Sequence, residues 1–357
     1  MTNKVGLVLS GGGAKGAYHV GVMQAIQEMD MTIDAIAGAS IGALNGAILS
    51  SAPNLKTGID HMKEIWQLLP EQQPIRFKSN NIKFALPSIN DKLGYLTLLL
   101  SAGLRLSYPF SIILNATNFM EIESLVEDSV LHDLMQKYLD LDCLQHSIPL
   151  YVSVFAQHHQ GKAIQDFLMG LKDLFKTEVL GVNNQLSEFR HIQSLPKEEQ
   201  KELILASAAL PLLFKAYQDQ QGKRFTDGGQ GGMLNAQGNT PIEPLIQAGC
   251  QNIIVVHLNG ASLWHRHDFA NTSIIEIRPS IDLGDGRAML DFSQTTINQL
   301  IKLGYDDAKQ TLTKVVSSLS SLYNLRASTA QLNQVFDDNT SKKLDNAMPV
   351  SYTHLTL

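Results

Sequence analysis

A chain of 357 residues can bury a sizeable core, and a composition of 44% apolar and 17% charged residues is that of a globular protein, not a disordered one. The net charge of −6 comes without a long acidic or basic run, which gives no support to nucleic-acid binding. Cys143 and Cys250, far apart and outside any C-x-x-C pattern, offer neither a disulfide framework nor a thiolate metal site, and they fit a reducing compartment.

Met1 to Lys4 leads straight into an apolar run, with no basic stretch, hydrophobic region and cleavage site, so Sec-type export is not expected. Val5 to Leu9 reads as a short buried parallel strand. It feeds Ser10-Gly11-Gly12-Gly13-Ala14-Lys15-Gly16, whose glycines allow a tight turn and bare N–H groups where negative charge could develop. Ala17 to Met29 reads as a helix, Ile33 to Ala37 as a second strand, and Ile41, Leu44, Ala47 and Ile48 fall at helical spacing. Strand, loop, helix, strand, turn and helix make the βαβα opening of a parallel α/β sheet.

From about residue 66 to 146 the pattern loosens, and Pro70, Pro74, Pro87 and Pro109 interrupt helical segments. Within it Leu93 to Leu114 carries one charge, Arg105. Gly94, Gly103, Arg105 and Pro109 argue against a membrane span and favour a buried or capping helix pair over a membrane-surface or acyl-chain-facing element. Further on, Ile148 to Ala156 and Val179 to Phe189 read as strands, and Lys197 to Ala209 as a helix stopping at Pro211. After Arg224-Phe225-Thr226-Asp227-Gly228-Gly229 and a glycine-rich loop, Pro244 to Ala248 is helical, and Asn252 to Leu258 and Ile274 to Ile277 are strands. A long helix is expected from Ala288 to about Leu319. The expected organisation is one domain over 1–320 with a helical insertion at about 66–146, then a polar tail over 321–357. The last nine residues, from Pro349, resemble a read-through scar and are set aside.

Gly38-Ala39-Ser40-Ile41-Gly42 is a G-x-S-x-G motif, of which chance gives roughly 0.1 matches in such a chain. Its place between a strand and a helix is what a nucleophile elbow needs, the flanking glycines removing side chains that would clash at a strained turn. The alternative is a βα turn in which Ser40 only caps the helix. A serine nucleophile needs a base. His19, His61, His132, His146, His158, His159, His191, His257, His265, His267 and His354 all lack a local sequence that marks a triad histidine, and a surface or structural role fits each better. Asp227 follows a strand end and precedes two glycines that permit close approach of another loop, so it could serve Ser40 directly. Its alternative is a D-G-G turn. An aspartate is more acidic than histidine by roughly 2.6 pKa units, so such a base works best partly desolvated.

Gly11-x-Gly13-x-x-Gly16 also matches the dinucleotide fingerprint, but Asp30 and Asp34 sit at a helix end and a strand start, not at the end of the second strand. A phosphate-binding P-loop is excluded, because Lys15 precedes Gly16 and no Gly-Lys-Ser/Thr follows. Lys15 either orients the loop, attracts an anionic head group, or is a solvated lysine at a helix start.

Gly11 to Gly16, Gly38 to Gly42, Ala206-Ser207-Ala208-Ala209-Leu210-Pro211 and Asp227-Gly228-Gly229, in this order, resemble the patatin-like phospholipase family. The resemblance extends to Pro241-Ile242 and to Leu303-Gly304-Tyr305-Asp306-Asp307-Ala308 and leaves out roughly 66–146. It departs after Gly229, where Gln230 to Asn239 intervene before Thr240-Pro241. It implies an α/β, three-layer fold with a mainly parallel central sheet flanked by helices, and hydrolysis of lipid acyl esters by a serine–aspartate dyad. Ser40 is then the nucleophile and Asp227 the base. Amides of Gly11, Gly12, Gly13 and Ala14 form the oxyanion hole, and Lys15, Gly16, Gly38, Gly42, Gly228 and Gly229 support the motifs. No metal or organic cofactor is implied. The implied substrate is a phospholipid or other acyl-ester lipid met at a membrane surface, with no nucleic acid involved. A cytoplasmic or peripheral-membrane place is expected, as housekeeping enzyme or exported effector, and the sequence leaves the oligomeric state open. Two other readings stand beside it: an α/β-hydrolase esterase with a Ser-His-Asp triad, and a non-catalytic membrane- or nucleotide-binding module.

Overall fold

The structure, a computed structural model, describes residues 4–72, 129–157, 187–207, 217–218, 224–227, 238–259, 269–284 and 288–347. Its first half runs β1 (Lys4–Leu9), a 3-10 turn (Gly13–Gly16), α1 (Ala17–Glu28), β2 (Ala35–Ala39), α2 (Ile41–Ser50) and α3 (Leu55–Gln72). Then follow α4 (Ser129–Tyr138), α5 (Leu141–His146), β3 (Leu150–Gln157), β4 (Glu188–His191), α6 (Lys197–Ser207), β5 (Tyr217–Gln218) and β6 (Arg224–Asp227). The chain continues through α7 (Glu243–Gln247), β7 (Cys250–Val256), β8 (Ser273–Ile277), a 3-10 turn (Ala288–Leu290) and α8 (Gln294–Ala347).

One sheet takes the order β5-β6-β3-β2-β1-β7-β8, with β4 also paired to β3. The pairs β3–β2, β2–β1, β1–β7 and β7–β8 are parallel, as the continuous apolar runs of these strands require of a sheet covered on both faces. Antiparallel pairing enters only beyond β3. There β4 takes Tyr151 to Val154 and β6 takes Val154 to Gln157. One face packs Val8, Ala37, Ile253 and Val255 against Ile242 and Leu245 at α7. On β2, Ile36 lies on the opposite face, beside α2 at Gly46. The fold is thus α/β with a mainly parallel sheet between helices, as expected.

Residues 1–308 form one compact unit and residues 309–357 another. In the first, α8 docks on α1 through the buried carboxylate of Asp307, which accepts from the Tyr18 hydroxyl and from the Ser280 N–H, both at 3.0 Å. Burial, with the Asp307 charge beside it, pushes the Tyr18 hydroxyl well above its usual range. Both cysteines are free thiols.

Several boundaries differ from the sequence expectation. α3 runs through Pro70 to Gln72, because Trp66 and Leu69 are buried and hold its last turns in place. β7 ends at Val256: the His257 amide still makes a last rung to the Ile277 carbonyl of β8, and the Leu258 amide leaves the ladder for Ser10 Oγ. α8 begins at Gln294, not Ala288. Ser293 opens it, with the Ile297 amide on its carbonyl and the Thr296 amide on its hydroxyl. It then continues past Leu319, with no glycine or proline after Gly304 to stop it before Ala347. The Leu93 to Leu114 segment, most of the 66–146 insertion, Val179 to Leu186 and the end of the chain lie outside the described residues. Among the described residues no helix is long and apolar enough to cross a membrane.

Candidate active site

β2 ends at Ala39 and α2 begins at Ile41, so Ser40 alone makes the turn, with φ 52° and ψ −126°. A side-chain-bearing residue is rarely held there, and such strain persists only where the surroundings over-determine it. Ser40 is 8% exposed, and its side chain does not cap α2. Its carbonyl accepts from the amides of Ala43 and Leu44 instead. Among the described residues its hydroxyl has no hydrogen-bond partner. A Cβ at Gly38 would sit 2.5 Å from the Gly42 carbonyl, and one at Gly42 would collide with the carbonyl of Leu9, so both motif glycines answer to close backbone approach.

The glycine loop lies directly against this turn. A Cβ at Gly11 would fall 2.9 Å from Ser40 Cβ. The Gly11 N–H donates to Asn239 Oδ1 at 2.9 Å, which takes Gly11 out of the four amides expected as oxyanion donors. The amides of Gly12, Gly13 and Ala14 have no hydrogen-bond partner among the described residues. Gly13 holds φ 58°, and the Met289 carbonyl occupies the place its Cβ would need. Lys15 is no solvated lysine. It is 8% exposed and its ammonium donates to the Gly284 carbonyl at 2.5 Å, a bond that ties the loop to a neighbouring segment.

Behind the loop lies a buried polar cluster. Asn45 Nδ2 donates to the Gly16 carbonyl at 3.1 Å and to His19 Nδ1 at 3.2 Å, and Asn45 Oδ1 accepts from Trp66 Nε1 at 3.0 Å. Burial lowers the His19 pKa to about 3, so the ring is neutral and Nδ1 accepts. On the other side of the turn the Ser40 N–H donates to Ser207 Oγ at 3.0 Å, and Ser207 Oγ donates to the Ser153 carbonyl at 2.7 Å.

No described histidine is hydrogen-bonded to Ser40. His19 belongs to the Asn45 cluster, and His191 stacks on Tyr151 with centroids 4.8 Å apart. His257 lies 3.2 Å from Glu276, and burial lowers its pKa against the opposing pull of that carboxylate. His158, His159, His265, His267 and His354 lie outside the described residues, as do Gly228 and Gly229. Asp227 is placed by its backbone: it ends β6 opposite Val154, and Ala39 lies opposite Ser153 on the other side of β3. Ser40 and Asp227 are therefore level with each other across one intervening strand.

Asn45, Asn239 and the hydrogen-bonding role of Ser207 escaped the sequence reading. Asn239 stands just before Thr240-Pro241, the pair at which the motif pattern resumes, and that adjacency was the available signal.

A family model for the patatin-like phospholipases matches residues 7–246. Neuropathy target esterase sws of Drosophila grimshawi is 40% identical over 105 residues, 27% of this chain and 7% of that protein. The Drosophila persimilis protein of the same name is 50% identical over 62 residues, 17% of this chain and 4% of that one. The chain thus spans only 4–7% of the length of these curated relatives. Among solved structures, VipD from Legionella pneumophila aligns with a TM-score of 0.43 at 16% identity, covering 87% of this chain and 67% of that one. ExoU from Pseudomonas aeruginosa, in its complex with SpcU, aligns with a TM-score of 0.38 at 17% identity, covering 87% and 52%.

Proposed function

The chain belongs to the patatin-like phospholipase family, and from that membership we propose that it hydrolyses lipid acyl esters through an acyl-Ser40 intermediate with Asp227 as general base. The observation that carries the reading is Ser40 itself: a strained residue at a strand-to-helix junction, beside a loop, its hydroxyl and the Gly12, Gly13 and Ala14 amides all without a partner among the described residues.

In the first half-reaction the Asp227 carboxylate takes the Ser40 hydroxyl proton as Oγ attacks the ester carbonyl carbon. The N–H groups of Gly12, Gly13 and Ala14 receive the charge on the tetrahedral oxyanion, each such donor being worth on the order of 10²–10³ in rate. Collapse breaks the bond to the alcohol oxygen, which leaves with the proton from Asp227. Water then attacks the acyl-enzyme, Asp227 accepting its proton, and collapse returns the proton to Ser40 and frees the fatty acid. No cofactor enters this cycle. The register supports the pairing of the two residues, because two inter-strand spacings put their backbones only roughly 9–10 Å apart. The substrate class is a phospholipid or related acyl ester met at a membrane surface.

Fluorophosphonate labelling and fatty-acid release from phospholipid vesicles test this in the full chain. Ser40→Ala abolishes both, and Asp227→Asn lowers both by at least about 10³-fold. Normal labelling of Asp227→Asn beside an inactive histidine variant points to a triad instead, and an unlabelled wild-type Ser40 points to a binding module.

A further inference from the structure

We propose that Ser207 is a positioning residue for the nucleophile, its hydroxyl spliced into the β2–β3 ladder at the point where the chain turns out of the sheet. This rests on the reading of Ser40 as nucleophile.

The ladder defines what Ser207 replaces. In the β2–β3 pair an amide on β2 donates to the carbonyl one residue before its partner on β3: Ile36, opposite Leu150, donates to Pro149 at 2.8 Å. Carried forward four residues, the same pattern sends the Ser40 N–H to the Ser153 carbonyl. That direct rung is absent. The Ser207 hydroxyl stands in it, accepting from the Ser40 N–H at 3.0 Å and donating its single proton to the Ser153 carbonyl at 2.7 Å. Ser207 and Ser153 are fully buried and Ser40 nearly so, so water is a poor substitute for the relay. Ser207 is also the last residue of α6, so the relay joins the elbow to β3 and to this helix at once.

The inserted oxygen has two consequences. It holds the Ser40 backbone one hydroxyl away from β3, which sets where Oγ lies relative to the glycine loop. It also occupies the nucleophile's own amide, so that amide does not serve the oxyanion. The donors must then come from elsewhere, and the amides of Gly12, Gly13 and Ala14, without a partner among the described residues, are placed to supply them.

Without the hydroxyl, the rung either closes directly, drawing Ser40 toward β3, or leaves two buried backbone groups unpaired. Both move Oγ. A shift of about 1 Å at a reacting atom can cost on the order of 10²-fold in rate. The test is steady-state hydrolysis of a soluble short-chain p-nitrophenyl ester by the full chain as wild type, Ser207→Ala, Ser207→Cys and Ser40→Ala, with fluorophosphonate labelling rates and thermal midpoints. Ser207→Ala is expected to lower kcat and the labelling rate by about 10- to 100-fold while KM changes less than about threefold. Should Ser207→Ala not fold, Ser207→Cys, similar in size but a weaker hydrogen-bonding group, is expected to lose kcat in the same sense. A variant that folds and keeps kcat within twofold of wild type, while Ser40→Ala is inactive, overturns the positioning role and leaves the nucleophile standing. An active Ser40→Ala overturns both.

Discussion

Asn45→Ala is expected to cost a large share of the stability of the folded chain, although it removes one small side chain from one helix. Asn45 is 4% exposed and sits against Trp66 and His19, which are 1% and 0% exposed. Its loss orphans two groups at once, His19 Nδ1 and Trp66 Nε1–H, and takes from the Gly16 carbonyl the partner it has beyond the first helical amide. An unsatisfied buried polar group costs about 1–3 kcal/mol. A water entering the vacated volume recovers part of that, so the net loss is expected at about 2–4 kcal/mol. Domains are stable by only about 5–15 kcal/mol. Urea unfolding followed by circular dichroism at pH 7.5 measures it. A loss below about 1 kcal/mol would falsify the claim that the cluster is closed to water. Asn45→Asp supplies the control with the opposite pH sense. Its carboxylate can still accept from Trp66, but it faces the Gly16 carbonyl and the His19 lone pair without a proton to give. Protonating His19 removes that conflict, so the penalty of Asn45→Asp is expected to shrink as pH falls from 8 to 5.5.

His19 makes a further prediction about acid. Its folded pKa is depressed by burial from 6.5 to about 3, so the unfolded chain binds its proton first. The stability it allows is complete above pH 6.5 and falls toward pH 3 with a slope of up to about 1.4 kcal/mol per pH unit. Unfolding curves of wild type and His19→Asn across pH 7 to 4.5 should diverge by that component, and parallel curves rule it out. At the loop, Gly13→Ala meets both the φ of 58° and the Met289 carbonyl. The left-handed backbone alone costs about 1–2 kcal/mol, and the displaced loop should slow fluorophosphonate labelling at least tenfold, so wild-type labelling by this variant would show that the loop amides take no part.

The part of the site that was legible in the sequence is the part built from neighbours in the chain. Gly38, Ser40 and Gly42 sit on one turn between one strand and one helix, and spacing alone reports that. The residues that hold the turn are distant. Ser207 reaches Ser40 across 167 positions and Asn239 reaches Gly11 across 228, and no periodicity connects them. Boundaries failed for the same reason. Apolar character carries through His257 and Leu258, so β7 reads too long, whereas the Leu258 amide is taken by Ser10 Oγ at 2.9 Å to hold the start of the glycine loop. The start of α8 was readable from Asp291 and Ser293, which accept from the Thr296 hydroxyl and amide respectively. The apolar spacing already begins at Ala288, ahead of that cap.

Buried backbone groups have to be paired, and around Ser40 the pairing proceeds by distant polar side chains, each taking one group. Asn239 takes the Gly11 N–H, Ser207 takes the Ser40 N–H, and Asn45 takes the Gly16 carbonyl. What this leaves without a partner among the described residues is a consecutive run, the amides of Gly12, Gly13 and Ala14, at the start of a 3-10 turn against the nucleophile. Three adjacent donors open among the described residues, while their neighbours on both sides are occupied, form an arrangement ready for an arriving acceptor. In the proposed reaction the acceptor arrives only as the ester carbonyl becomes an oxyanion, and the interaction is strongest in that state. Asn239 and Ser207, which touch no substrate, would therefore decide which amides do. Replacing Asn239 should free the Gly11 N–H beside that run, whereas replacing Ser207 acts on Ser40 directly, by moving Oγ.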